Sequence, residues 1–274
     1  MTKFIRVYRM INILSIDIAV GAMISASFFA QLFEVQILPH GLISLGLTVW
    51  IIYTADHLLD AGKLSQAASS ERHRFHQRHA RILLIMITFA LVVDISQIYF
   101  IRSIVFKAGL GLAFLVVIYF LIQQRIGFLK ELLGTVLYTA GVLLIPLSVK
   151  NRISSSDILL ILQFGMIVWI NLLLFSLIDQ PRDEKDNHQS FATSLGQGIT
   201  KKALVFLFSA SMGLALSQLF LSSSVTGATI VMVLMNALLL LIFLKRDFFE
   251  KEDRYRLLGD AVFLLPLVYL LFQR

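Results

Sequence analysis

Residues 157–186 read DILLILQFGMIVWINLLLFSLIDQPRDEKD. The run from Ile158 to Ile178 carries no charge. As a helix it rises about 31 Å at 1.5 Å per residue, enough to cross bilayer hydrocarbon, which takes roughly 20 apolar residues. It then ends abruptly in Asp179 and Asp183, four residues apart. The same design recurs earlier, where an apolar span finishes in Tyr53-Thr-Ala-Asp56-His57-Leu-Leu-Asp60. An apolar helix ending in a carboxylate pair, found twice, is the pattern that decides the reading of this chain.

The surrounding sequence has the same character. Of 274 residues 58% are hydrophobic and 15% charged, against about a quarter charged in soluble domains. Nine segments have near-spanning length: approximately 10–33, 37–60, 82–101, 103–122, 131–149, 157–179, 203–222, 225–244 and 257–273. Backbone groups in lipid must be satisfied within the segment, so an all-α bundle of nine transmembrane helices is expected. No linker or low-complexity tract divides it, and 1–274 reads as one transmembrane domain. The absence of cysteine excludes disulfides, thiolate metal sites and cysteine nucleophiles. Lys and Arg outnumber Asp and Glu by 24 to 17. In an apolar chain that excess belongs beside anionic headgroups, and no basic patch interleaved with aromatics points to nucleic acid.

The basic residues also orient the chain. With nine spans, 19 Lys/Arg fall on the side of the N-terminus, and Arg102, Lys107, Lys150, Arg152 and Arg274 fall on the other. The positive-inside rule then places the N-terminus and both aspartate pairs in the cytoplasm and the C-terminus outside. Lys3, Arg6 and Arg9 before an apolar run reaching Ser25-Ala26-Ser27 resemble a signal peptide. The run is longer than a signal core, and losing one span would reverse every later loop, so an uncleaved helix is expected.

Residues four apart share a helix face, with Cβ atoms about 6 Å apart. Two carboxylates so placed repel, and each costs up to about 3 kcal/mol at depth in a membrane unless a cation offsets it. Mg²⁺ fits, since it takes one or two carboxylates and fills its remaining positions with water and phosphate. Two facing pairs, Asp56 with Asp60 and Asp179 with Asp183, would hold ions with a pyrophosphate between them. Ionisation of an allylic pyrophosphate needs that stabilisation of the departing charge. Arg72, Arg74, Arg78 and Arg81 follow the first pair, and Arg182 and Lys185 are interleaved with the second; they are expected to complete the clamp. A single pair would read as a solvated helix cap, whereas the same spacing twice on one side of the membrane favours the metal site.

At these residues the chain resembles the UbiA superfamily of intramembrane prenyltransferases. Asp179-Gln-Pro-Arg182-Asp183-Glu184-Lys185-Asp186-Asn-His-Gln-Ser190-Phe-Ala192-Thr-Ser-Leu-Gly196 is similar to the family's second motif, Asp-x-x-x-Asp, then Lys, then Ser-x-Ala-x-x-x-Gly. Asp56, Asp60 and Ala61-x-Lys63 match the end of its first motif, while Ile52 and Tyr53 stand where the family has Asn-Asp. Arg9 and Asn12 resemble the family's Arg-Pro-x-Asn, with Met10 in place of proline, and Tyr119, Arg125 and Glu131 resemble its fourth-helix end and following loop. The resemblance implies a nine-helix enzyme using Mg²⁺ to move a prenyl group from an isoprenoid pyrophosphate to a lipophilic acceptor, such as an aromatic or quinone precursor. Asp56, Asp60, Asp179 and Asp183 would bind metal, Asn12, Arg72, Arg182 and Lys185 the pyrophosphate, and Asp17 and Tyr119 are candidate catalytic residues. A terpene cyclase of similar fold stays open, and so does a transporter with Asp17 and Asp94 as a proton path.

Other polar residues have alternative readings. His73, His76 and His79 sit at three-residue spacing, but the arginines among them argue against zinc. The stretch 72–81 is either an anion-binding lid or a surface helix on headgroups. Asp17 and Asn171 are expected about 10 Å along span one and about 12 Å below Asp179, both within reach of a cavity under the metals. Asp94 is expected to pair with another helix or touch the outer interface, and Asp260 to act as a cap or lipid-facing ion pair. Among 22 Phe no single one stands out, although aromatic faces would shield a carbocation.

Overall fold

A computed structural model describes residues 3–64, 66–123, 125–221 and 226–272. The span ends expected at 222, 225 and 273, together with Arg274, lie outside the described residues. All regular structure among the described residues is helical: α1 (Lys3–Ile13), α2 (Ile16–Leu32), α3 (Pro39–Gly62), α4 (Glu71–Gln97), α5 (Ser103–Ile122), α6 (Lys130–Val149), α7 (Ser155–Lys185), α8 (Phe191–Leu221), α9 (Thr226–Leu244), α10 (Arg246–Glu250), α11 (Arg254–Ala261) and α12 (Pro266–Phe272). Among the described residues eight helical segments are long and apolar enough to cross a membrane, α10, α11 and α12 counting as one, and α1 with α2 makes a ninth that is bent by 81°. The chain is a polytopic integral membrane protein.

Burial orders the bundle. Half of the apolar window of α7 is buried, whereas in α4 and α5 the share is 11%. α7 is therefore the central helix, flanked by α6, α8 and α9, and α4 and α5 present apolar side chains outward to lipid. Lipid tails are as apolar as leucine, so the bundle is held by close packing and interhelical hydrogen bonds rather than by removal from water. α7 starts in a capping box: the Ser154 hydroxyl accepts from Asp157 N–H at 3.2 Å, and Asp157 accepts from Ser154 N–H at 2.6 Å. Lys150 completes this end with an ion pair to Asp157 at 2.7 Å.

Three breaks in the helices shape the site. The first separates α1 from α2 at Ser15, whose φ of 57° is left-handed. It interrupts the helical ladder, and distant side chains meet the carbonyls there: Trp50 Nε1 donates to Leu14 O at 2.9 Å, and Arg72 to Asn12 O at 3.2 Å beside the Ser15 N–H at 3.0 Å. Such repair is the condition for irregular backbone at membrane depth. The second is a kink at His79, whose ring nitrogen bonds Phe75 O at 3.0 Å, competing with the backbone ladder. The third is at Gly196, whose φ of 82° is accessible to glycine; its carbonyl accepts from Thr200 Oγ1 at 2.8 Å.

Both expected motif loops are largely helical. Residues 71–81 form the first turns of α4, begun by Ser70 accepting from His73 N–H at 3.1 Å, and α7 continues through the second aspartate pair to Lys185.

Candidate active site

The two aspartate pairs open on one end of the bundle. Asp186, just past α7, accepts from Ser69 N–H at 2.9 Å and from Ser69 Oγ at 2.6 Å, tying the connection after α3 to the end of α7. The His73 ring on α4 lies 5.7 Å from that of His57 on α3 and 5.5 Å from that of His188 after α7. Lys130, at the start of α6, donates to Asp60 at 3.4 Å and is within electrostatic reach of both Asp56 and Asp183.

Within each pair the two carboxylates differ. Asp60 is buried and accepts from Lys63 at 2.8 Å as well as from Lys130, whereas Asp56 accepts from the Gln123 amide at 3.1 Å. Asp179 is buried beneath the Tyr255 hydroxyl and the Arg256 guanidinium, with Arg182 at 3.4 Å. Asp183 faces the Ser190 hydroxyl. Among the described residues no Lys or Arg forms an ion pair with Asp56 or Asp183. Each helix end thus offers one neutralised carboxylate and one without a direct cationic partner.

Among the described residues no three His, Asp or Glu side chains gather closely enough to cage a metal. Mg²⁺ does not require such a cage, because one or two carboxylates suffice when phosphate oxygens complete the shell. The hard-oxygen pairs fit an ion that arrives with its phosphate.

Beside the pairs lies a buried polar network. Arg72, 6% exposed, donates to Asn12 Oδ1 at 2.8 Å and to Asp260 at 3.4 Å. The Asn12 amide donates to Asp17 and to Asp260, both at 2.7 Å, and Tyr8 donates to Asp17 at 3.3 Å. This corrects two expectations. Asp17 does not sit on a continuous helix but in the first turn of α2, just past the break at Ser15. Asp260 is neither a cap nor lipid-facing; it is 3% exposed and shares Arg72 with Asn12. Asn171 is buried against Gly259 and Phe175. Asp94 accepts from Thr48 at 3.0 Å, pairing α4 with α3 as expected.

Several expected clamp residues lie elsewhere. Of the four arginines at 72–81, Arg72 alone is buried; Arg74 donates to the Ala68 and Ser69 carbonyls at 3.0 and 2.9 Å, and Arg78 and Arg81 are exposed. Lys185 is exposed, since two residues after Asp183 a helix has turned about 200° to its far face. Tyr119 is half-buried, within electrostatic reach of Asp56 and Lys130. Glu131 accepts from Phe191 N–H at 2.8 Å, joining α6 to α8. Sequence reasoning missed Gln123, Lys130, Tyr255 and Arg256; Lys130 and Arg256 contributed only to the charge asymmetry, which carries no contact information.

Beneath the mouth an aromatic column descends. Tyr53 packs edge-on against Tyr138 at 6.4 Å between centroids, Tyr138 against Phe263 at 5.6 Å, Phe263 against Phe164 at 6.0 Å and Phe164 against Phe29 at 5.2 Å. A groove of about 390 Å³ lined by Leu58, Ala61, Gly62 and His76 opens on the opposite face of α3 from the aspartates, so it is not the mouth.

No family model and no curated protein matches the chain. Solved structures do. A UbiA homologue from Aeropyrum pernix K1 in its apo form superposes with a TM-score of 0.65 at 14% identity, over 96% of this chain and 97% of that one. A UbiA homologue from Archaeoglobus fulgidus matches in two structures. The one bound to GPP and Mg²⁺ gives 0.67 at 12% identity over 94% and 98% of the chains, and the one bound to DMAPP and Mg²⁺ gives 0.60 at 12% over 97% and 98%. Over nearly its whole length, the chain has the UbiA fold.

Proposed function

We propose that this chain is a Mg²⁺-dependent intramembrane prenyltransferase of the UbiA superfamily, a single domain that moves a prenyl group from an isoprenoid pyrophosphate to a lipophilic acceptor of the aromatic or quinone-precursor class. The observation that carries the reading is that Lys130 donates to Asp60 of the α3 pair and is within electrostatic reach of Asp183 of the α7 pair, while Ser69 and Asp186 tie the two helix ends together. The DMAPP, GPP and Mg²⁺ of the Archaeoglobus fulgidus structures support it. The basic asymmetry supports a cytoplasmic mouth and N-terminus and an external C-terminus.

Asp56, Asp60, Asp179 and Asp183 would hold the metal. Bound Mg²⁺ supplies Lewis-acid stabilisation of the pyrophosphate as the allylic C–O bond breaks. Arg72, Lys130 and Arg182 would donate to phosphate oxygens, and Asn12 and Asp260 hold the Arg72 fork in place. Asp17, bonded to the same Asn12 amide, acts on the position of Arg72 rather than on the substrate. The prenyl tail lies along the aromatic column, where ring faces stabilise the allylic cation and water is excluded. Tyr119, within electrostatic reach of Asp56 and Lys130, would stand near the reacting end. Lys185 has no role here.

A cyclase that quenches the cation internally is the second reading, favoured by Ile52 and Tyr53 in place of Asn-Asp. Purified protein in nanodiscs, given Mg²⁺ and pyrophosphates of several lengths, tests both. The proposal expects metal-dependent pyrophosphate release that Asp183→Asn abolishes, with prenyl appearing on an added acceptor. Hydrocarbon or alcohol formed without acceptor favours the cyclase, and no release at any length rejects both.

A further inference from the structure

Arg256 is the cation most closely engaged with the second aspartate pair. Its guanidinium bonds Asp179, its Nε donates to the Tyr255 hydroxyl at 3.0 Å, and its Cζ lies 5.4 Å from the Phe175 ring centroid. The side chain is 18% exposed and lies within electrostatic reach of Asp183, His57, His73 and Asp260, residues of α7, α3, α4 and α11. It therefore stands inside the mouth.

The backbone is built to bring it there. Glu252 and Asp253 are consecutive non-glycine residues with φ of 56° and 53°, an uncommon and costly conformation that neighbours must hold in place. Arg9 donates to Glu252 O at 3.0 Å and Arg182 to Asp253 Oδ1 at 2.6 Å, and Gly259 lets α11 lie against Asn171 and Phe175 of α7. Helices α1 and α7 thus fix the turn that aims Arg256.

Asp179 needs Arg256 less than a bound anion would, because Tyr255 and Arg182 also donate to it. A guanidinium fork fits phosphate as well as carboxylate. Resting on the function proposed above, we propose that Arg256 is a diphosphate ligand that competes with the divalent ion for Asp179: when the ion takes Asp179, the guanidinium turns to the diphosphate. The metal and the anion are then coupled through one side chain, and its removal acts on them with opposite signs.

The test uses Mn²⁺ and inorganic pyrophosphate on the full chain in nanodiscs, with free Mn²⁺ read by its electron paramagnetic resonance signal and pyrophosphate by calorimetry. Without pyrophosphate, Arg256→Gln binds Mn²⁺ about threefold more tightly than wild type, as expected for loss of one competing charge from Asp179 while Tyr255 and Arg182 remain. At saturating Mn²⁺ it binds pyrophosphate at least about tenfold more weakly, the loss of a charge-assisted hydrogen bond. Arg256→Lys, which keeps the charge but not the fork, restores part of the pyrophosphate affinity. Weakening of both ligands together in Arg256→Gln assigns Arg256 a structural tie and overturns the proposal; unchanged pyrophosphate affinity overturns it as well. If wild type binds neither Mn²⁺ nor pyrophosphate, the enzyme reading itself fails, which the variant comparison alone does not do.

Discussion

Replacing Gly259 by alanine tests whether α11 must lie close against α7 for the mouth to form. A Cβ at 259 would stand 2.7 Å from Asn171 Oδ1 and 2.7 and 2.8 Å from Cε1 and Cζ of Phe175. Phe175 is itself wedged against Tyr255, 5.5 Å between ring centroids, so neither neighbour gives way without disturbing the site. Overpacking of this kind costs about 1–3 kcal/mol. At 1.4 kcal/mol per tenfold that is roughly a 5- to 150-fold effect where the strain falls on the catalytic arrangement. The cheapest relief moves α11 off α7, and Tyr255 and Arg256, one turn earlier, then withdraw from Asp179. Gly213 on α8 is the comparator: an added Cβ there meets nothing within 4 Å, and alanine should be neutral or stabilising by about 0.5–1 kcal/mol. Thermal unfolding in detergent and pyrophosphate release should both fall for Gly259→Ala and neither for Gly213→Ala. A Gly259→Ala protein with wild-type release and melting would refute the claim that this contact positions the second aspartate pair.

Asp186→Ala removes both bonds to Ser69; at about 1.5–3 kcal/mol for hydrogen bonds to a charged group, the connection at 66–70 should lose amide-exchange protection while the lipid-embedded helices keep theirs. Asp157→Ala breaks the α7 capping box and should destabilise by about 0.5–2 kcal/mol in a denaturation series, without changing pyrophosphate release, since it lies at the other end of α7 from Asp179. Burial, against the opposing pull of Asp60, holds the His188 imidazole below its ordinary value. The folded state therefore prefers the neutral ring, so its contribution is full above the unfolded value of about 6.5 and is lost as pH falls below it; His188→Gln should flatten the decline of the melting temperature between pH 7 and 5. Chelation with EDTA should stop pyrophosphate release and Mg²⁺ should restore it.

The parts legible in the sequence are those that depend on neighbours along the chain. Apolar length marked the spans, and the i, i+4 spacing marked Asp56 with Asp60 and Asp179 with Asp183, because a helix puts such residues on one face whatever surrounds it. What joins the pairs was not legible. Lys130 meets Asp60 across 70 residues and Tyr255 meets Asp179 across 76, and a basic residue in a cytoplasmic loop looks the same whether it faces a headgroup or a carboxylate. Asp260 was misread for the same reason: its partners Asn12 and Arg72 are 248 and 188 residues away. The break before α2 carries no proline or glycine. It is held by Trp50 and Arg72 from other helices, so local propensity could not announce it, and Asp17 was placed on a continuous helix as a result. Lys185 shows the reverse case, since its proximity in sequence to Asp183 hides a turn to the opposite helix face, where it is exposed.

Locating a divalent ion in the folded protein tests the central claim most directly. Crystals grown with Mn²⁺ and inorganic pyrophosphate would reveal the ion by its anomalous scattering. The account predicts density at the mouth with carboxylate oxygens from both the α3 and the α7 pairs turned to one bound pyrophosphate, at least one ion lying about 2.0–2.2 Å from Asp56, Asp60, Asp179 or Asp183. Manganese bound away from these four residues, or pyrophosphate seated anywhere but between the two pairs, would contradict it.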